Sequence, residues 1–211
     1  MTINLIVNSA VADCDSTIVG SATGTLNNII DSIDSLFGDC GDIWTNTKSA
    51  SNVSIATALN IDSSSLWTKN PNLLFGNSNV PHTSALVEGT IGQAKFFSVA
   101  VGAGQTMTVD IDFSAYTPFG RGTDLVVAIV DAAGHQLALN DDSFLPPGGL
   151  GSYSSLDPFL SFTPAVAGTY FIKVYPYGSS TFTANNTFML NLSVTGHSFA
   201  GSSQGNQVII G

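Results

Sequence analysis

Two kinds of apolar spacing run along the chain. From Leu26 the apolar positions are Leu26, Ile29, Ile30, Ile33, Leu36 and Phe37. This spacing marks one face of a helix, and Thr25 as N-cap with Gly38 as stop frames that helix over about 25–37. Its apolar stripe is expected to lie on a sheet as a lid. Further along, the period becomes two. Met107, Val109, Ile111 and Phe113 alternate with Thr106, Thr108, Asp110 and Asp112. The run Phe96–Val101 precedes them through Gly102, Ala103 and Gly104, which predicts a hairpin. Tyr170, Ile172 and Val174 alternate again, as do Phe188, Leu190, Leu192 and Val194, with Thr187, Asn191 and Ser193 facing the other way. Leu125–Val130 is apolar at every position, the mark of a central strand covered on both faces. Short strands separated by turn signals predict an all-β sandwich with one N-terminal amphipathic helix packed on it. The chain shows no short tandem repeat, and the glycine-rich nonapeptide of calcium β-rolls is absent.

Charge narrows the partners. Against 15 acidic residues stand five Lys plus Arg, a formal net charge of -10, which excludes phosphate backbones and anionic membranes as natural partners and points to cations. Glu88 is the only glutamate. The other acids are aspartates, whose short side chains suit turns and compact oxygen cages. Cys14 and Cys40 either close one disulfide or stay as two small buried thiols, and no zinc spacing is present. No basic-then-apolar leader follows Met1, and no apolar run is long enough to cross a bilayer. Ile3–Val7 and Gln207–Ile210 are strand-like to the very ends, which favours a piece of a longer exported protein over a cytoplasmic chain.

The acids gather around one expected hairpin. If the turn Asp131–Ala132–Ala133–Gly134 pairs its first and last residues, antiparallel register sets Asp124 opposite Asp141. Their Cβ atoms would then lie about 5 Å apart, where like charges repel. Arg121 is near in sequence, but one guanidinium cannot neutralise Asp124, Asp141, Asp142 and Asp157 together. A calcium ion can, since it takes about six to eight oxygens at about 2.4 Å, and Asn140 can add an amide oxygen. The face carrying Asp141 is expected to continue through Leu139 and Leu137 into the core. The loop between Asp142 and Asp157 is rich in Pro, Gly and Ser, with Gly148, Gly149, Gly151, Ser152, Tyr153 and Ser155 as its candidate ligand-binding residues; loops on rigid scaffolds carry recognition.

These residues carry a resemblance. Gly104 with Thr106–Asp112, then Thr123, Asp124 and Leu125, Asp131 and Gly134, Asn140, Asp141 and Asp142, Ser155–Phe159, and Ala167–Tyr170 resemble the pattern of the bacterial pre-peptidase C-terminal domain over residues 84–195. The resemblance implies a jelly-roll-like β-sandwich, often calcium-bound, secreted with proteases or built into large calcium-rich RTX adhesins. Within those adhesins the chain is similar to the peptide-binding domain, where calcium helps to grip the free C-terminus of a partner peptide. Residues 1–211 then form a single binding module, with 1–83 an extension integrated into the fold. On that resemblance calcium is the cofactor, and Asp124, Asn140, Asp141, Asp142 and Asp157 are its ligands. The partner is a peptide or protein C-terminus on a host or neighbouring cell, met by a monomeric module of a secreted bacterial protein that mediates attachment and biofilm formation. The residues agree: a rim calcium with an open position can take a carboxylate while glycine N–H groups and Tyr153 orient the rest.

Other functions are weaker on the residues. His82, His135 and His197 fall in no nucleophile or zinc-protease motif and are expected at surfaces or turns, so no catalytic residue is assigned and the chain is expected not to be an enzyme. Clustered aspartates suit a metal better than the two separate roles of a glycosidase. A calcium-rigidified accessory domain of a secreted protease or adhesin is the second reading. The third is a carbohydrate-binding module, with Trp44, Trp67 and Tyr177 as stacking platforms.

Overall fold

Alternating apolar residues pair into strands because each strand hides one row of side chains and leaves backbone groups to bond sideways. The computed structural model describes residues 2–7, 18–23, 43–48, 52–63, 67, 80–88, 93–112, 114–117, 120–143, 154–178, 182, 187–199 and 205–210, with backbone only for some strands. The helix expected at 25–37 and both Cys14 and Cys40 lie outside the described residues.

The strands are β1 Thr2–Val7, β2 Ile18–Thr23, β3 Ile43–Lys48, β4 Leu59–Asn60, β5 His82–Glu88, β6 Lys95–Val101, β7 Met107–Asp112, β8 Tyr116–Thr117, β9 Gly120–Arg121, β10 Leu125–Val130, β11 Gln136–Asn140, β12 Phe159–Phe162, β13 Gly168–Pro176, β14 Thr187–Val194 and β15 Gly205–Ile210. They form a five-stranded sheet in the order β11-β10-β13-β6-β4 and a six-stranded sheet in the order β12-β7-β14-β5-β15-β3, with β1-β2 and β8-β9 as separate pairs. The expected β-sandwich is the fold observed. Its interior is filled from one side by Phe97, Val99, Val101, Leu125, Val127, Ile129, Ile172 and Val174, and from the other by Met107, Val109, Ile111, Leu190, Leu192 and Val194. All six residues of β10 are buried, as its two-faced apolar sequence predicts.

The link between β6 and β7 corrects one expectation. The two strands do not pair as a hairpin but belong to different sheets. Both face apolar rows into one interior from opposite sides, so the chain must arch over its rim. Gln105 shapes that arch: its N–H donates to Gly102 O at 3.1 Å, its Oε1 accepts from Gly102 N–H at 2.6 Å, and Gly104 turns the chain with φ +74°. A short glycine-bearing link serves a hairpin or an arch equally, and only the pairing of the strands decides.

The ring residues also fall differently. Trp67 is fully buried, donates from Nε1 to Ile61 O at 2.7 Å, and stacks on His197 with ring centroids 3.7 Å apart. It is therefore a core residue and not a stacking platform. His197 bonds Asp62 through Nε2 at 2.8 Å, and its side chain is only 7% exposed. His82 is buried on β5, and that burial pulls its pKa below the usual histidine range, partly countered by a hydrogen bond to the Val80 carbonyl. His135 sits in a surface turn as expected, His197 closes the turn that follows β14 through its N–H to Val194 O at 3.2 Å, and Tyr177 is exposed.

The expected passage of Leu137 and Leu139 into the core is also corrected, for each is 43% exposed, whereas Leu190 is 1% exposed. Replacing Leu190 by Ala should cost about 3 kcal/mol of unfolding free energy through lost burial and a cavity. Leu139→Ser should shift it by no more than about 0.5 kcal/mol. Urea unfolding of the two variants checks the assignment of faces, and equal losses would refute it.

Candidate metal centre

The turn after β10 sets where the acids go. Asp131 N–H donates to His135 O at 3.0 Å, and Gly134 N–H donates to Asp131 O at 3.0 Å; Gly134 adopts φ +85°. Asp131 Oδ1 accepts from the N–H groups of Ala133 and His135, each at 2.9 Å. The turn is one residue longer than the sequence pattern suggests, and a bulge after Ile129 adds another, so Val127 pairs with Asn140 and Ala128 with Leu139. Carried past the strand ends, that register sets Asp141 beside Val126 and two places from Asp124. The expected direct Asp124–Asp141 opposition is therefore corrected to a diagonal one. Diagonal neighbours on one face remain within reach of each other's charge.

That proximity is felt. Burial, then Asp142, Asp141 and Asp157, push the Asp124 carboxyl above the ordinary aspartate range. Burial and then Asp141 do the same to Asp142. Burial and then Asp141 also raise the Tyr175 phenol. Folding thus brings Asp124, Asp141, Asp142 and Asp157 into one neighbourhood. Asn140 joins it differently: its Oδ1 accepts from Phe159 N–H at 3.2 Å, tying β11 to β12 at the sandwich edge.

Asp157 is the pivot. It is fully buried, and its Oδ1 accepts from Ser114 N–H at 3.0 Å, Ser114 Oγ at 2.6 Å and Ala115 N–H at 3.1 Å. Ser114 and Ala115 stand at the base of the β8–β9 pair, where Thr123 N–H donates to Ser114 O at 2.7 Å. Gly122 is required there, because a Cβ would lie 1.7 Å from Ser114 O. Asp157 therefore clamps the connection that carries the chain to Asp124.

Sequence reasoning left out Asp110 and Asp112. They occupy the polar positions of β7 and face away from the sandwich interior, yet they are 6% and 0% exposed. Asn191 Nδ2 donates to Asp112 Oδ2 at 2.7 Å, and Ser84 Oγ donates to Asn191 Oδ1 at 2.7 Å. Burial first, then Asp112 and Asp157, push the Asp110 carboxyl up to about 9. The signal was present as two aspartates at i and i+2 of one alternating strand, which reads as a solvated face unless something covers it.

Three carboxylate oxygens, Asp110 Oδ1, Asp124 Oδ1 and Asp157 Oδ2, are buried without a hydrogen-bond donor. Unpartnered buried acceptors are costly, and an oxygen-seeking cation is the group that fits them. The ion pairs His135–Asp131 and His197–Asp62 lie elsewhere. Lys173 is placed over the rings of Tyr175 at 4.6 Å and Phe96 at 6.0 Å. Among the described residues, no group of three or more His, Cys, Asp or Glu side chains is already arranged to hold a metal ion. Of the expected ligand loop, Gly148, Gly149, Gly151, Ser152 and Tyr153 lie outside the described residues. Ser155 is half-buried, and its carbonyl accepts from Ser143 N–H at 2.8 Å.

No curated protein matches the chain by sequence. Among solved structures, the periplasmic inhibitor of g-type lysozyme from Aeromonas hydrophila, PliG, is similar at 14% identity and a TM-score of 0.37, covering 72% of this chain and 98% of that one. The pre-peptidase C-terminal domain of a collagenase from Bacillus anthracis is similar at 14% identity and a TM-score of 0.34, covering 54% of this chain and 88% of that one. The family model of the bacterial pre-peptidase C-terminal domain matches residues 93–176, the stretch that runs from β6 through Asp110, Asp124, Asp141 and Asp157 to the end of β13. Over residues 93–176 the chain is therefore similar to the bacterial pre-peptidase C-terminal domain.

Proposed function

We propose that this chain is a calcium-dependent, non-catalytic binding module of a secreted bacterial protein, and that its ligand is the free C-terminus of a peptide or protein on another cell or surface. The observation that carries the calcium part is the buried, unpartnered Asp124 Oδ1, set among Asp141, Asp142 and Asp157, each of which raises its pKa. Calcium held by Asp124, Asp141 and Asp142, with Asp157 behind them, would relieve that repulsion. The site stands at the mouth of the β10–β11 hairpin, where the next residues enter the loop to Asp157.

The ligand follows from charge. A chain of net charge -10 repels a carboxylate unless a bound cation inverts the local field. A rim ion with an open position does that and leaves the loop 143–155 to read the rest of the peptide. The family match supports an accessory domain exported with its parent protein, on which binding and attachment are the natural roles. The second reading, calcium as a brace in an accessory domain, is favoured by Asp157, whose Oδ1 is already committed to Ser114 and Ala115.

Chelation should lower the melting temperature, because an ion that binds only the folded state stabilises it. The double variant Asp124→Asn with Asp141→Asn should lose the rim calcium, seen by calorimetric titration. A melt unmoved by chelator would remove the cation from the account. Peptides with free and with amidated C-termini should separate on an array in calcium buffer, the free ends binding at least about tenfold more tightly, or about 1.4 kcal/mol; equal binding leaves the brace.

The chelated chain should also show a pH dependence of known sign. The Asp110 carboxyl is held up to about 9 in the fold and returns to about 3.9 on unfolding. Between those values the folded chain binds more protons than the unfolded one, so its stability falls as pH rises. Urea midpoints in chelator should decline steadily from about pH 5 to about pH 9. A flat or rising series would mean that Asp110 is not held in its neutral form.

A further inference from the structure

We propose that the outer face of the five-stranded sheet docks a partner peptide through one acidic side chain flanked by apolar residues, with Lys173 as its counter-charge. The face is fixed by what its other side does. Ile172 and Val174 of β13 belong to the interior, so the two-residue period turns Phe171, Lys173 and Tyr175 outward, where they are half-buried. Register sets Lys173 between Ala128 and Phe96, places Leu139 beyond Ala128, and sets Tyr175 beside Val126. Val126 and Ala128 are only 4% and 1% exposed although they face outward. Residues 53–58 account for part of this cover. Phe96 N–H donates to Asn52 O at 2.7 Å, while Ile55 Cδ1 stands 3.5 Å from the place a Cβ on Gly134 would take. Ile55 is half-buried and is no member of the interior cluster, so the segment crosses the outer side from β6 to the turn after β10 and walls the face at that end.

Charge names the occupant. Among the five Lys and Arg of the chain, Lys95 shares the interior side of β6 with Phe97 and is buried, Lys48 and Arg121 belong to strands outside this sheet, and Lys69 lies outside the described residues. Lys173 is therefore the cation of the face. Its Nζ lies 4.6 Å from the Tyr175 ring centroid and 6.0 Å from that of Phe96, and among the described residues no carboxylate closes an ion pair with it. Aromatic rings hold an ammonium group without neutralising it. A single carboxylate completes the charge-assisted hydrogen bond that the rings cannot supply. A polyanion does not fit, because the net charge of -10 repels it, and Asp141 stands near enough to help raise the Tyr175 phenol. The surroundings of the charge are apolar: Leu139 is 43% exposed and, with the rings of Tyr175 and Phe96, can receive apolar neighbours of the acid. The surface stands whether or not a cation fills the rim.

The test uses the full chain and fluorescent peptides blocked at both ends, so that no free C-terminus contributes, with binding read by anisotropy in calcium buffer and again in chelator. One peptide carries an aspartate between apolar residues, and two matched peptides carry asparagine or lysine in its place. The unaltered chain should bind the aspartate peptide at least about fivefold more tightly than the asparagine one, in both buffers. Lys173→Met keeps an apolar stem over Phe96 and Tyr175 and should lose that preference, and Lys173→Glu should invert it, taking the lysine peptide over the aspartate one. Leu139→Ser leaves Lys173 in place and should weaken the aspartate and asparagine peptides by a common factor, keeping their ratio. Equal binding of those two peptides to the unaltered chain, or a preference that survives in Lys173→Met, overturns the proposal. So does a preference seen only with calcium, which would put the contact at the rim, or a Leu139→Ser chain that binds both peptides undiminished.

Discussion

The constraint that governs this molecule is the cost of enclosing carboxylates. An ionised aspartate removed from water needs donors, a counter-charge or a proton, and here folding removes several at once. Asp157 shows the first solution, for one of its oxygens takes three hydrogen bonds from Ser114 and Ala115. Asp112 takes a donor from Asn191. Asp110 has neither at Oδ1, so without a cation its carboxyl keeps its proton up to about 9. The apolar interior of the sandwich sets the strands in register, and the register forces these acids together. Stability and site chemistry are therefore two results of one alignment.

Much of the fold was legible because burial imposes a period. The alternation in Met107–Ile111, Ile172–Val174 and Phe188–Val194 matches the rows that fill the interior, and the unbroken apolar run of Leu125–Val130 matches a strand buried throughout. What period cannot encode is pairing. Phe96–Val101 and Met107–Asp112 look like hairpin partners because the link between them is short, yet their neighbours are β13 and β14. The choice is made by contacts distant in sequence, which no local pattern carries.

The acidic cluster was legible in part of its membership and not in its geometry. Asp124, Asp141, Asp142 and Asp157 do share a neighbourhood, and the reason given from sequence, like charges gathered by a hairpin, holds in kind. The register behind it was displaced by two residues, one from the longer turn at Asp131 and one from the bulge after Ile129. A displacement of two conserves the face in a strand of period two, so the cluster survives the error. It also leaves Leu137 and Leu139 on the exposed side with Asp141. Asp110 and Asp112 escaped because alternation assigns polar residues to water, an inference that fails once a sheet is covered on its outer face.

The same covering explains why the polar ladder Ser84–Asn191–Asp112 exists at all. On an open face those side chains would exchange bonds with water, and each would contribute little. Enclosed, each bond must be made, and each fixes the next: Ser84 orients Asn191, Asn191 then has its amide nitrogen free for Asp112, and Asp112 lies one residue pair along from Asp110 on the same face. Asp110, directly opposite Asn191 on the neighbouring strand, stays outside this chain with an unpartnered oxygen. An apolar residue at position 110 would have buried itself at no electrostatic cost, beside Phe159 across the ladder. The aspartate is thus unfavourable for folding alone, and its burial beside Asp112 and Asp157 is what holds its proton up to about 9.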